Sequence, residues 1–207
     1  MINFQNKSIM IIAPHLDDEI IGCSGTILLN RDKINKLIVV HMTDDDIRKK
    51  EYKNIKQALK INKDYMLQLK DGFVNNSYEE AVLTLIDIIQ IEKPDIVFIP
   101  HAADNHVDHS ATNKISIDAI EKARYWNCEE KEWHVDYILE YEIWSFQKSV
   151  SDVIDISDVI NKKIELMKQY QSQLRFNYLK YIEYINGYRG LLFNRGGFAE
   201  CFNIRRN

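Results

Sequence analysis

The sequence predicts an α/β fold built on a mostly parallel sheet, and three observations predict it. Short, near-continuous apolar runs rich in β-branched residues recur: "SIMIIA" (8–13), "KLIVVHM" (36–42) and "DIVFIPH" (95–101). Strands covered by helices on both faces read this way, without polar alternation. Amphipathic stretches lie between the runs, so strand and helix alternate along the chain. Two of the runs lead straight into a cluster of titratable side chains, as expected when ligands bind beyond the C-terminal ends of parallel strands.

The elements follow in order. "SIMIIA" is the first strand. Residues 19–31 predict the first helix, with Gly22 and Gly25 letting it pack close to the sheet. "KLIVVHM" is the second strand. "RKKEYKNIKQALKI" (48–61) predicts a helix with Tyr52, Ile55, Leu59 and Ile61 on one side and lysines opposite. "YMLQL" (65–69) is a weaker third strand. "SYEEAVLTLIDIIQIEK" (77–93) predicts an amphipathic helix, started by a Ser77–Glu80 capping box and ended by Pro94. "DIVFIP" is the fourth strand, and 109–126 the helix after it. "YILEYEIW" (137–144) alternates and reads as a strand nearer an edge. Residues 157–174 predict one long helix capped by Ser157 or Asp158, and the Gly-, aromatic- and Arg-rich tail predicts loops and a short strand. The whole is a Rossmann-like doubly wound sheet with helices on both faces. It is read as one domain over 1–207, with a helical and loop-rich final third from about residue 155.

Composition narrows the function. The 207 residues suffice for a sizeable core. Against 27 Lys and Arg stand 31 Asp and Glu, a net charge of −4, which is no footprint for nucleic acid. Three dispersed cysteines, Cys23, Cys128 and Cys201, form no CxxC pair, so neither a thiolate zinc site nor a disulfide framework is expected, and a reducing cytoplasm is the natural compartment. The N-terminus lacks the pattern of a signal peptide, and no run approaches the roughly 18 apolar residues of a membrane span.

The first titratable cluster is "PHLDDE" (14–19) and the second "HAADNHVDH" (101–109). Together they hold four of the chain's six histidines: His15, His101, His106 and His109. With strands 1 and 4 as neighbours in the order 3-2-1-4-5, the two trailing loops face one crevice. His15 with Asp18, and His106 with His109, are each one helical turn apart. Two imidazoles and a carboxylate suit a catalytic metal with an open position for water. The adjacent Asp17 then serves as a base, the cation offsetting its repulsion from Asp18. The choice between His106 and His109 as ligand stays open on spacing alone. Taken singly, a "DDE" at a helix start is more often dipole complementation, and a His after a strand a hydrogen-bonded loop residue. The conjunction of two clusters favours the metal.

These motifs resemble those of the LmbE-like, or PIG-L-type, metal-dependent N-deacetylases, in which a first signature similar to PHPDDE is followed by HPDH or HxDH. Further similarity runs through "VVHMTDDD", "RKKEYKNIKQAL", "LQLKDG", the 155–174 segment and "YRG…GGFAECF". Leu16 and Val107 stand where the family commonly has Pro, and "KQYQSQ" lacks a frequent His before SQ. The resemblance implies His15, Asp18 and His109 as metal ligands and Asp17 as general base. His106 would stabilise the oxyanion or protonate the leaving amine, and Asp108 would orient a neighbouring His. Arg48 and Asp71 would contact substrate, while His101 and Asp104 fall outside the pattern as structural or rim residues.

The implied reaction is hydrolysis of the acetamide of an N-acetylglucosaminyl-type sugar, with metal-bound water as nucleophile. Zn2+ is the implied cofactor, with Fe2+ as an alternative native metal. An amidase acting on a larger sugar-thiol or antibiotic conjugate would use the same centre. A mononuclear non-haem iron enzyme shares the donor set but usually occupies a β-barrel. A sugar- or nucleotide-binding module would have no use for Asp17 beside a ligand carboxylate, and no GxGxxG follows strand 1. Tyr188 and Arg189 are candidates for the acceptor side, and Tyr170 and Tyr181 for core or interface packing. The Tyr-rich final third suits either the core or a homo-oligomer interface.

Overall fold

The computed structural model describes residues 2–126 and 132–206, so Cys128 lies outside the described residues. Among the described residues seven strands form one sheet: β1 (Ser8–Ala13), β2 (Lys36–Thr43), β3 (Lys63–Leu69), β4 (Ile96–Pro100), β5 (Tyr137–Tyr141), β6 (Asp152–Asp155) and β7 (Ala199–Arg206). Their order is β3-β2-β1-β4-β5-β7-β6. The first five are parallel, and β7 runs antiparallel to both β5 and β6. The "YILEYEIW" strand is therefore interior, and its polar Glu140 is accommodated by hydrogen bonds from Asn113 and Asn203.

The helices are α1 (Asp18–Asn30), α2 (Asp46–Ala58), α3 (Tyr78–Glu92), α4 (Val107–Lys122), α5 (Ile160–Met167) and α6 (Tyr178–Leu192). Strand periodicity sorts the core into two layers. Ile9, Ile11, Leu37, Val39 and Phe98 pack with Ile20, Ile55, Leu166 and Ile182 on the face covered by α1, α2, α5 and α6. Met10, Ile12, Ile38, Val40, Val97 and Ile99 pack with Leu85, Ile89, Ile115 and Ile120 under α3 and α4.

Local chemistry departs from the expected pattern at three places. The Ser77–Glu80 capping box is not formed, because a 3-10 turn over Val74–Ser77 feeds directly into α3. Neither Ser157 nor Asp158 caps a helix, since α5 starts after Val159 without a side-chain cap. The Ser157 hydroxyl instead accepts the N–H groups of Gly197 and Phe198, both at 3.0 Å. The expected helix over 157–174 breaks after Met167, the start of the expected tail belongs to the end of α6, and the short strand expected there is β7.

Candidate active site

β1 ends at Ala13 and delivers a tight turn that starts α1 at Asp18. The His15 N–H donates to Asp18 Oδ2 at 2.9 Å, closing the turn. Asp17 pays for it with φ 132° and ψ −25°, a region that L residues rarely adopt. Such strain costs on the order of 1–3 kcal/mol and persists only where the surroundings enforce it. Here the Asp17 carbonyl accepts the N–H groups of Ile20 and Ile21. Its own N–H donates to Glu19 Oε2 at 3.0 Å.

The second cluster follows β4. His106 is the N-cap of α4, its Nδ1 accepting the Asp108 N–H at 3.2 Å. One turn on, His109 Nδ1 lies 2.9 Å from Asp104 Oδ1. The adjacency of β1 and β4 brings the two clusters together. Ring nitrogens of His15, His106 and His109 lie within 4.8 Å of one another. Asp18 Oδ2 stands 3.0 Å from His15 Nδ1 and 3.4 Å from His109 Nε2. A tetrahedral ion with bonds near 2.0–2.1 Å has ligand–ligand edges of roughly 3.3 Å, a length that both of these Asp18 contacts approach.

Hydrogen bonding distinguishes the histidines. With Nδ1 engaged by the Asp108 N–H, neutral His106 carries its proton on Nε2, as a donor. With Nδ1 facing the Asp104 carboxylate, His109 donates there and keeps a lone pair on Nε2. That Nε2 is buried and has no hydrogen-bond partner among the described residues, as a ligand awaiting a cation would be. His15 Nε2 lies 3.2 Å from both Asp108 Oδ2 and Asp71 Oδ1, which leaves Nδ1 toward Asp18. Asp108 is in turn fixed by the N–H groups of Gly72 (2.6 Å) and Val74 (3.0 Å). The set His15, Asp71 and Asp108 is also close enough to hold an ion, but hydrogen bonding to His15 accounts for it.

Electrostatics separates the twin aspartates. Burial, then the Asp18 charge, pushes Asp17 well above the usual carboxylate range, opposed by Arg48 and His15. Burial also works against ionised Asp18, but His109 and His15 outweigh it and hold its pKa low. Two adjacent carboxyls with divergent proton affinities divide into a proton acceptor and a permanent anion. Burial, then the crowding of the His109 and His15 imidazoles, pushes His106 down, favouring its neutral form.

A cleft of about 140 Å³ opens over this centre, lined on one side by His15, Asp17, Asp18 and His106 and on the other by Trp144, Phe176 and Tyr178. Ile21, Arg48, Asp71 and Gln173 complete it. Arg48 Nη1 lies 3.8 Å from Asp17 Oδ1, and the Asp71 side chain is 58% exposed and drawn down to about 2 chiefly by its hydrogen bond with His15. The aromatic wall carries no local sequence signal. Of the tail residues expected at the acceptor side, Arg189 is buried in an ion pair with Glu142 and Tyr188 packs on Phe146, and neither lines the cleft. Tyr170 is fully buried, and Tyr181 donates to the Ile143 carbonyl.

Diacetylchitobiose deacetylase of Thermococcus kodakarensis is 24% identical over 192 residues, covering 81% of this chain and 70% of that one. The structure of N,N'-diacetylchitobiose deacetylase from Pyrococcus horikoshii superposes with a TM-score of 0.84 at 24% identity, covering 97% of this chain and 84% of the other. A hydratase, 4-carboxy-2-hydroxymuconate hydratase GalB from Pseudomonas putida KT2440, also reaches a TM-score of 0.84, at 16% identity and 97% coverage of each chain. Fold likeness alone therefore does not select the chemistry. The profile of one family, described as PIG-L, GlcNAc-PI de-N-acetylase, matches residues 10–120, and with more than half its length so matched the chain belongs to the PIG-L family.

Proposed function

We propose that this protein is a metal-dependent N-deacetylase of N-acetylglucosaminyl-type amino sugars. The observation that carries the reading is the convergence of His15 Nδ1 and the unpartnered His109 Nε2 on Asp18, with Asp17 held beside them. His15, Asp18 and His109 would hold the cation, with zinc the first choice; the same donors accept iron(II). When bound, the cation acidifies a water molecule and polarises the acetyl carbonyl.

The chain's own groups supply the rest. Asp17, with its proton affinity raised by burial and Asp18, takes the proton from the attacking water. The His106 Nε2–H donates to the oxygen on which negative charge develops. The proton taken by Asp17 is delivered to the departing amine, and acetate leaves. Asp108 holds the His15 ring through Nε2–H. Arg48 and Asp71 at the rim suit sugar hydroxyls, and the Trp144–Tyr178 side offers aromatic faces to the apolar face of a pyranose. A cleft of about 140 Å³ holds one small substituent at the metal and leaves the remainder of a substrate outside it. Among the described residues no helix is long and apolar enough to cross a membrane.

The test is a panel of N-acetylglucosamine, N,N'-diacetylchitobiose and larger N-acetylated glycosides, assayed for free amine and acetate with metal content measured on the same sample. Equal release of amine and acetate, dependent on about one metal per chain, is expected. A metal-loaded protein that frees no amine from any of them would overturn the assignment.

A further inference from the structure

Glu19 is the acidic residue of the first motif that the proposed chemistry leaves unused, and the obvious role for it is to complement the α1 dipole in its first turn. Its surroundings point elsewhere. The residue is fully buried, and both oxygens are engaged. Oε1 accepts the Tyr170 hydroxyl at 2.8 Å. Oε2 accepts the Asp17 N–H at 3.0 Å and lies 3.3 Å from His41 Nε2. His41, from β2, is itself fully buried, its ring set edge-on against Tyr52 of α2 at 4.8 Å. Glu19 is thus a node joining β2, the segment after α5 and the turn that carries Asp17.

Asp17 is where that node acts. Its φ of 132° is strained, and Glu19 is the acceptor for its N–H. Were the Asp17 N–H released, the peptide preceding Asp17 could rotate toward an ordinary φ and swing the carboxylate away from the cleft. The Asp17 carbonyl is fixed independently by the start of α1, so the Glu19 contact controls the remaining freedom of the residue. We infer that Glu19, held by Tyr170 and His41, is a positioning residue that locks the strained main chain of Asp17 and so aims the general base.

This rests on Asp17 being the base, and the experiment separates the two ideas. Glu19→Gln, Tyr170→Phe, Asp17→Asn and the double variant Asp17→Asn/Glu19→Gln are compared for kcat, KM and metal per chain on whichever N-acetyl sugar the wild type turns over. Glu19→Gln keeps the shape of the side chain, but its amide oxygen can accept the Asp17 N–H only with its NH2 turned to Tyr170, whose hydroxyl must then accept instead of donate. It is expected to lower kcat about 10- to 100-fold, the scale of a reacting group misplaced by an ångström. KM and metal content should stay within about twofold, and Tyr170→Phe should lower kcat in the same way but less. In the Asp17→Asn background, Glu19→Gln should add no further loss, because its effect passes through Asp17. Multiplicative losses in the double variant, loss of metal in Glu19→Gln, or a Glu19→Gln kcat within twofold of wild type would each overturn the inference. A near-wild-type Asp17→Asn would overturn the base assignment itself.

Discussion

Asp104 and His109 face each other across 2.9 Å, Oδ1 to Nδ1, with both side chains fully buried. The other oxygen of Asp104 accepts the main-chain N–H groups of Trp144 (2.9 Å) and Ser145 (3.3 Å). One carboxylate thereby fixes the tautomer of a proposed ligand and ties it to the loop that forms the aromatic side of the cleft. Carboxylates behind metal-binding imidazoles raise ligand basicity and set ring orientation. His101 and His109 outweigh the effect of burial and hold Asp104 well below the usual carboxylate range, so it stays ionised in that role.

Asp104→Asn should therefore weaken metal binding about 10- to 100-fold. Competition with a chelator of known affinity measures it. The fold should persist, since Asn can still accept from one of the two sets of donors. Affinity equal to wild type would mean that the His109 ring is held by its packing alone.

The two histidines of the second motif should separate cleanly. His109→Ala removes the buried, unpartnered Nε2 and should abolish stoichiometric metal binding and turnover together. His106→Ala removes a donor whose other nitrogen caps α4, and should retain the metal while kcat falls by about 10²- to 10³-fold, the usual cost of one oxyanion donor. Metal analysis beside steady-state rates distinguishes them. Loss of metal from His106→Ala instead would exchange the two roles.

Much of this centre was legible because both motifs are short and follow apolar strands, so the strand order brings them together without detailed folding. Spacing could not choose between His106 and His109. The family resemblance proposes His109, and what each Nδ1 meets, the Asp108 N–H in one case and the Asp104 carboxylate in the other, supports that proposal. The final third was less legible, because tertiary anchors override helical periodicity there. Tyr170 takes a non-helical backbone where its hydroxyl reaches Glu19, and Ser172 binds Glu51 through both its N–H and its hydroxyl. Gly190 reads as a loop residue but lies within α6, where a Cβ would fall 2.7 Å from the Gly197 main chain. Close packing rather than chain flexibility accounts for that glycine.

The metal-free protein should be most stable in mildly acidic solution. Burial opposes a charged His15, but Asp108, Asp18 and Asp71 outweigh it and raise its pKa well above 6.5. A raised folded-state pKa gives a contribution that is full below the unfolded value of about 6.5 and is lost as pH rises through the folded value. Raised Asp17 acts in the same direction. Depressed Asp18, Asp104 and Asp108 contribute above about pH 3.9 and lose that contribution as pH falls through their folded values. Thermal unfolding of chelator-treated protein should accordingly show a Tm that peaks near about pH 5–6 and declines toward pH 9. Zinc should flatten the alkaline decline, because ligation requires neutral His15 and tightens as pH rises. A Tm of metal-free protein that rises steadily from pH 6 to 9 would contradict this balance.

Lys163 and Glu200 form another buried polar pair, fully desolvated at 2.6 Å and joining α5 to β7. Glu200 accepts the N–H groups of Gly25 and Thr26, both at 2.8 Å, and Lys163 donates to the Ile21 carbonyl at 2.7 Å. The Gly25 N–H and the Ile21 carbonyl are an i, i−4 pair within α1. Here one member of the ion pair engages each, so the pair is built into the middle of α1, and Gly25 makes room, since a Cβ there would sit 2.8 Å from Glu200 Oε1. Lys163→Met leaves the Glu200 charge buried with only main-chain donors and should cost about 3–5 kcal/mol. For a chain of this size that lowers Tm by roughly 6–20 °C. Glu200→Gln keeps an acceptor for one of the two N–H groups but strands the Lys163 ammonium, and should cost a similar amount. Replacing both partners by apolar side chains should recover part of either loss, because no isolated charge remains. Denaturant unfolding of the three variants measures this directly. A double variant less stable than both single variants would mean that the pair's bonds to α1, rather than the avoidance of a lone buried charge, dominate its contribution.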